Sequence, residues 1–171
     1  MGDIFQLIAA FLELGSLFDS FIQTKHKYEL EQAFHCMKRL DQDPSQDAAR
    51  SALLYLNKID SDDKLYAQAL ACKFRVYCYT FLFEFDKANS QIKALSAIEI
   101  GWLTLNKDAI RSLQSEIPQL KQMVAEAKQM YEELVRKQRR IERANRPFNW
   151  KVLSIALIVV VAVLAVLLIF L

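Results

Sequence analysis

Glycine, proline and cysteine are scarce in this chain, with three of each in 171 residues. Tight β-hairpins usually need Asn-Gly or Asp-Gly turns, and neither dipeptide occurs in the sequence. The chain is therefore expected to fold as an all-α helical bundle. The odd number of cysteines and the lack of a Cys-x-x-Cys pair predict reduced thiols in a cytosolic domain, without a disulfide framework.

Motifs that carry catalytic chemistry are missing too. The sequence contains no HExxH pair, no phosphate-binding glycine loop and no GxGxxG turn. His35 and Cys36 are adjacent, so on a helix their side chains point about 100° apart and cannot form a dyad. A short run of acids near Asp43 imitates a calcium loop, but Gln46 replaces the glycine that such a loop requires. We expect no enzyme activity, no metal, no cofactor and no small-molecule substrate.

Charge is absent from residues 152–171, where Ser154 is the single polar side chain. As a helix this stretch measures roughly 30 Å, which is the thickness of the hydrocarbon core of a bilayer. Basic residues dominate the segment just before it, and such segments stay on the cytoplasmic side of a membrane. The sequence thus predicts a single-pass, tail-anchored membrane protein with a cytosolic N-terminus, in a bacterial inner membrane or the endoplasmic reticulum. Trp150 is expected at the headgroup layer.

Helix caps and apolar periodicity divide the chain into three predicted parts. Residues 1–102 form a cytosolic helical domain, residues 103–146 an amphipathic basic stem helix interrupted at Pro118, and residues 147–171 the anchor. The first predicted helix is so apolar that it must be nearly surrounded. It is either the centre of the bundle, a docking element for a partner, or a helix in the membrane interface. The predicted helices cover about residues 3–24, 27–41, 45–59, 62–82, 85–99, 106–116 and 118–146.

Four residues in the middle of the chain carry a resemblance to a known repeat family. Tyr79 stands at the position of an aromatic residue and Phe85 begins the turn. Ala88 stands at the position of a small residue, and Ile92 at that of an apolar residue in the second helix. This segment resembles one tetratricopeptide helix pair, in which a small side chain lets two helices approach closely. The resemblance implies a helical-hairpin scaffold that binds protein. A second alanine, Ala33, lies 55 residues before Ala88 (33 to 88), so the 34-residue period of the family is not predicted.

The stem has two different faces. One series of residues follows alternating steps of four and three, which indicates a coiled-coil or bundle seam. These residues, all apolar except Gln138, are Leu113, Ile117, Leu120, Val124, Ala127, Tyr131, Leu134, Gln138 and Ile141. Basic residues lie together on the opposite side and are Arg136, Arg139, Arg140 and Arg143. We expect Tyr131, Leu134 and Ile141 to contact a protein partner. The arginines are expected to contact membrane lipid, or to act only in setting membrane orientation. Nucleic acid is not expected, because no aromatic residues interleave the arginines.

These features together predict a membrane scaffold or adaptor that recruits an unknown protein partner to a membrane surface. One alternative is a coiled-coil tether, or a helix similar to the SNARE membrane-fusion family, in which the stem would oligomerise. A further alternative is a structural subunit of a larger membrane complex, with residues 3–24 packed against other subunits.

Overall fold

The computed structural model describes residues 27–42, 45–59, 64–102, 104, 106–144 and 154. These residues contain helices and no strand, which confirms the all-α fold. The segment that follows Arg75, which is rich in aromatic residues, is helical as far as Phe81. Six helices are described: α1 (Lys27–Gln42), α2 (Gln46–Leu56), α3 (Leu65–Phe81), α4 (Phe85–Ser96), α5 (Lys107–Ser115) and α6 (Ile117–Ala144).

The membrane anchor stays a prediction. Within the described residues, no helix combines the length and the apolar character needed to cross a membrane. The predicted anchor, residues 147–171, falls outside the described residues except for Ser154. The predicted first helix, residues 3–24, falls outside them completely.

The helix ends follow from local side-chain and backbone chemistry. The Ser45 hydroxyl accepts a hydrogen bond from the backbone N–H of Ala48 at 3.2 Å, so it caps the start of α2. At the end of α3 the N–H of Glu84 donates to the carbonyl of Tyr79 at 2.8 Å, and Phe83 has a φ of 61°. This is the usual left-handed end of a helix with phenylalanine in the place of glycine. Because a side chain is unfavourable in that conformation, packing by Phe83 must offset the strain.

Helices pack in hairpins that are stacked in chain order. α1 packs against α2, and α3 packs against α4, each pair joined by a connection of three residues. α2 also packs against α3, and α3 contacts both α1 and α5. The first hairpin therefore contacts the second.

The two hairpins repeat at a spacing of 39 residues. α2 begins at Gln46 and α4 begins at Phe85, and the sequence of both helices follows the pattern Asp-x-Ala-x-Ser-x-(Leu/Ile)-x-x-Leu-x-x-Ile (47 to 59 and 86 to 98). Ala49 therefore corresponds to Ala88, and both are fully buried. Ala33 lies on the first helix of its hairpin, whereas Ala88 lies on the second helix of its own, so the two alanines do not correspond. Their spacing of 55 residues (33 to 88) therefore does not reveal the repeat.

The ends of α2 and α4 are capped by the same device. Arg75 donates from one Nη2 atom to the carbonyls of Leu56 and Ile59, at 2.5 and 2.8 Å. Gln114 donates from Nε2 to the carbonyls of Leu95 and Ile98, at 3.1 and 2.9 Å. The sequence separations are 19 and 16 residues in both cases. Two different side chains thus donate to corresponding carbonyls at the helix ends from corresponding positions.

The stack ends with a polar helix face. One face of α3 is buried, at Ala69, Cys72, Lys73, Val76 and Thr80. The residues 39 positions later are all exposed, and are Asp108, Arg111, Ser112, Ser115 and Gln119. A repeat stack needs a terminal unit whose outer face is polar, because no further unit covers it. α5 and the start of α6 meet this requirement.

Contacts divide the chain into two compact units at residues 134 and 135. The first unit, called the body here, includes α1 to α5 and α6 as far as Leu134. In this part of α6 the buried residues are Leu120, Met123, Val124 and Ala127. The second unit begins at Val135 and includes the end of α6. The predicted boundaries at residues 102 and 146 remain predictions.

Candidate functional site

The four residues of the tetratricopeptide resemblance lie on one hairpin. Tyr79 is half-buried near the end of α3, and Phe85, Ala88 and Ile92 are buried on α4. The fully buried Ala88 gives α4 a small side chain in the core. Lys87 places its Nζ atom 5.6 Å from the centre of the Tyr79 ring, a cation–π contact. These four residues therefore build the hairpin.

Tyr131 belongs to an aromatic cluster of the body. Its ring stacks on Phe83 with a centroid distance of 4.6 Å and an interplanar angle of 20°. It also lies 5.9 Å from the ring of Phe85, which is tilted by 57°. The stacking explains how Phe83 is held in a left-handed conformation at the end of α3. The predicted partner contact at Tyr131 thus lies at a residue that is half-buried inside the body.

The two other predicted partner contacts differ in exposure. Leu134 is half-buried and packs against the hydrophobic core. Ile141 lies in the second unit and is 59% exposed, which is unusual for isoleucine. Seam residues between Leu113 and Ala127 are mostly buried in the body, so they are not available to pair with another chain while the body is folded. Ile141 is the predicted partner residue that stays accessible.

The predicted membrane-surface arginines are exposed on the last turns of α6, at positions 136, 139, 140 and 143. Their spacing of three, four and seven residues puts them on one helix face. In the same segment Gln138 donates to Glu142 Oε1 at 3.2 Å, an i,i+4 pair that supports an exposed helix. Trp150 lies outside the described residues.

A buried ion pair that sequence reasoning did not find joins α3 to the junction between α5 and α6. Lys73 Nζ lies 2.5 Å from Glu116 Oε2, and the Lys73 side chain is only 3% exposed. Lysine is almost never buried without a partner, so Glu116 is a structural requirement. The available signal was a lysine within a short run of small and apolar residues, from Ala69 to Phe74.

The cysteines are poor nucleophiles. Burial raises the pKa of the Cys78 thiol, whose Sγ lies 3.5 Å from Met37 Sδ. Burial also raises the pKa of Cys36 and of Cys72, although nearby Arg39 and Arg75, respectively, act in the opposite direction. A thiol that stays protonated is neither a good nucleophile nor a good metal ligand. In the part of the chain that the structure describes, no group of three or more His, Cys, Asp or Glu side chains could hold a metal ion.

Two adjoining pockets lie between α4 and α6. One of about 280 Å³ is lined by Phe83, Glu84, Phe85, Asp86, Lys87 and Lys128. The other, of about 480 Å³, is lined by Asp86, Asn89, Ser90, Ile92, Lys93 and Lys121. Because Asp86 lines both, we treat them as one feature, the α4–α6 groove. Its residues all belong to the body.

The groove combines apolar and basic character. Phe83 is half-buried and contributes apolar surface, whereas Phe85 and Ile92 line the groove but are almost fully buried. Lys87 is neutralised by Glu84, whose Oε2 lies 2.8 Å away, and this hydrogen bond and charge raise the pKa of Lys87. The other three lysines have no ion-pair partner among the described residues. Such a groove suits an apolar side chain with anionic neighbours.

The chain was compared with protein families, with curated proteins and with solved structures, and no match was found in any of the three.

Proposed function

We propose that this chain is a tail-anchored scaffold, whose helical-repeat body binds a protein partner at a membrane surface. The single observation that carries the proposal is the 39-residue repeat with its shared capping device. Stacked helical hairpins present extended surfaces, and proteins use such surfaces to bind other proteins. The tetratricopeptide resemblance supports the same reading, although the spacing of 39 differs from the 34 residues of that family.

The membrane part of the proposal is supported by sequence and by the exposed basic face of α6. A lysine or arginine near an anionic membrane surface contributes about 1 kcal/mol of attraction, so four arginines contribute roughly 4 kcal/mol. Confinement to a surface raises the effective concentration of the body for a partner at the same membrane. The anchor and the arginines thus supply location, while the body supplies recognition.

Membrane attachment is tested by fractionation of the full chain and of a chain that ends at residue 146. We expect the full chain to resist alkaline extraction from membranes and the shortened chain to be released. Replacing Arg136, Arg139, Arg140 and Arg143 by glutamine is expected to weaken binding of the shortened chain to anionic vesicles. The matched control replaces four exposed basic residues of the body, Lys38, Arg50, Lys64 and Arg111, by glutamine. A full chain that is extracted without detergent contradicts the proposal.

Partner binding is tested by cross-linking the membrane-embedded chain and identifying what is attached. Deleting residues 1–24 separates the scaffold from the subunit of a larger complex. If the body stays folded without these residues and loses its cross-linked partner, the subunit function is favoured. If residues 106–146 alone oligomerise in solution, the tether is favoured instead.

A further inference from the structure

The α4–α6 groove is the strongest unassigned feature of the body. It is concave, it has two adjoining volumes, and its basic groups come from both walls, with Lys93 on α4 and Lys121 and Lys128 on α6. No acidic residue of the described chain neutralises these three ammonium groups within 4.0 Å. By contrast, Lys73 and Lys87 each have a carboxylate partner. The groove therefore has an unbalanced positive charge.

We propose that the α4–α6 groove binds an acidic peptide segment of a partner protein, with one apolar side chain seated between two carboxylates. This inference rests on the proposed scaffold function and names the chemistry of its partner. Lys121 and Lys128 are seven residues apart, which is about 10 Å along α6. In an extended peptide, two acidic side chains on one face are separated by about 7 or 13 Å, and the flexible lysine stems bridge the difference.

The apolar side chain enters at Phe83, the half-buried aromatic residue that lines the groove. The Phe83 ring stacks on Tyr131 with a centroid distance of 4.6 Å, which restricts its movement. A rigid aromatic wall loses little conformational entropy on binding. Asp86 lies between the two pockets and disfavours a second acid at the centre of the groove. This placement selects an apolar residue in the middle and acids on either side.

The test measures fluorescence anisotropy of a labelled peptide with the core Glu-Thr-Leu-Thr-Glu, titrated with the full chain in neutral-lipid nanodiscs. We expect saturable binding that weakens as salt is added. A peptide with glutamine in place of both glutamates, and another with alanine in place of leucine, should each bind at least about tenfold more weakly. If the glutamine peptide binds as well as the acidic one, the proposal is overturned.

Two charge-reversal variants locate the site. Lys121→Glu with Lys128→Glu should weaken the peptide by about tenfold or more. Lys38→Glu with Lys64→Glu changes the net charge equally on exposed residues outside the groove, and should leave binding within about twofold. Equal weakening by both pairs would mean that only net charge matters, and would overturn the proposal. Circular dichroism confirms that each variant is folded.

A second set of measurements tests peptide binding by the groove separately from the scaffold function and from lipid binding. If the wild-type chain acquires a cross-linked partner and the Lys121 and Lys128 variant acquires it equally, the groove proposal fails and the scaffold stands. If the variant loses affinity for anionic vesicles but not for the peptide, the groove binds lipid and the proposal also fails. Loss of both the peptide and the cross-linked partner supports it.

Discussion

Replacing Arg75 tests whether the 39-residue repeat has energetic meaning. Arg75→Ala removes two donors from the end of α2, at the carbonyls of Leu56 and Ile59. Leu56 keeps a backbone hydrogen bond from the N–H of Ile59 at 3.1 Å, but no other bond to the Ile59 carbonyl appears among the described residues. A stranded carbonyl costs about 1–3 kcal/mol, and the lost charged hydrogen bond to Leu56 adds about 1 kcal/mol. We expect a total destabilisation of about 2–4 kcal/mol.

Arg75→Gln should be much milder. Gln114 makes the corresponding two bonds at the end of α4 with an amide alone, at 3.1 and 2.9 Å. Glutamine at position 75 also removes the Nε atom of arginine, which is buried and has no hydrogen-bond partner among the described residues. Removing this unsatisfied donor stabilises the folded state and offsets part of the free energy lost with the charged hydrogen bonds. We expect Arg75→Gln to cost less than about 1 kcal/mol.

Urea denaturation of the full chain in mild detergent, followed by circular dichroism, measures the difference. With a slope of about 2 kcal/mol per molar urea, Arg75→Ala should lower the midpoint by roughly 1–2 M and Arg75→Gln by much less. Gln114→Ala is the matched variant in the second repeat and should cost about 1–3 kcal/mol. Equal destabilisation by Arg75→Ala and Arg75→Gln would refute the equivalence of the two caps.

Three further perturbations follow from the same contacts. Glu116→Gln should destabilise the body by about 2–4 kcal/mol, because it leaves the Lys73 ammonium buried without a counter-charge. In urea denaturation, the double variant Lys73→Met with Glu116→Gln should be more stable than Glu116→Gln alone. Tyr131→Ala should lower the free energy of unfolding by about 1–3 kcal/mol, and Tyr131→Phe by less than about 1 kcal/mol, because the ring and not the hydroxyl stacks on Phe83. Calorimetry measures both, and equal losses would contradict this reasoning. Burial raises the pKa of the Cys36 and Cys78 thiols, so the stability that their neutral forms contribute is complete below the usual pKa of 9.0 and is lost as the pH rises above it. Alkylation mapped by mass spectrometry should modify Cys36 before Cys78, because Cys78 is more deeply buried. The reverse order would be inconsistent with their burial.

The helices could be read from sequence because their signals are local. The predicted helices 27–41, 85–99 and 118–146 agree closely with α1, α4 and α6. Scarce glycine, a capping serine before α2 and apolar periodicity along α6 determine these elements without tertiary information. The turn after Phe81 was also predicted, between the helices 62–82 and 85–99, although Phe83 adopts a conformation that sequence rules assign to glycine.

The groove and the repeat could not be predicted in the same way, because both depend on pairs of residues distant in sequence. Gln114 caps α4 from 19 residues downstream, and nothing in its own neighbourhood indicates this role. The repeat was detectable in principle from the shared pattern of α2 and α4, yet a search at the tetratricopeptide spacing of 34 residues passes over a period of 39. Long-range packing decides which of the possible alignments is real.

The two faces predicted for the stem differ in their burial. The apolar seam through Ala127 is largely buried in the body, and Tyr131 anchors α6 to the end of α3. From Val135 onward every described side chain of α6 except Val135 itself is exposed, and Ile141 and the arginines are among them. A partner that pairs with the seam would have to displace α6 from a core that includes Leu120 and Val124. Since burial of one such side chain contributes about 1.5–3 kcal/mol, a partner would more readily use the open α4–α6 groove, which requires no displacement.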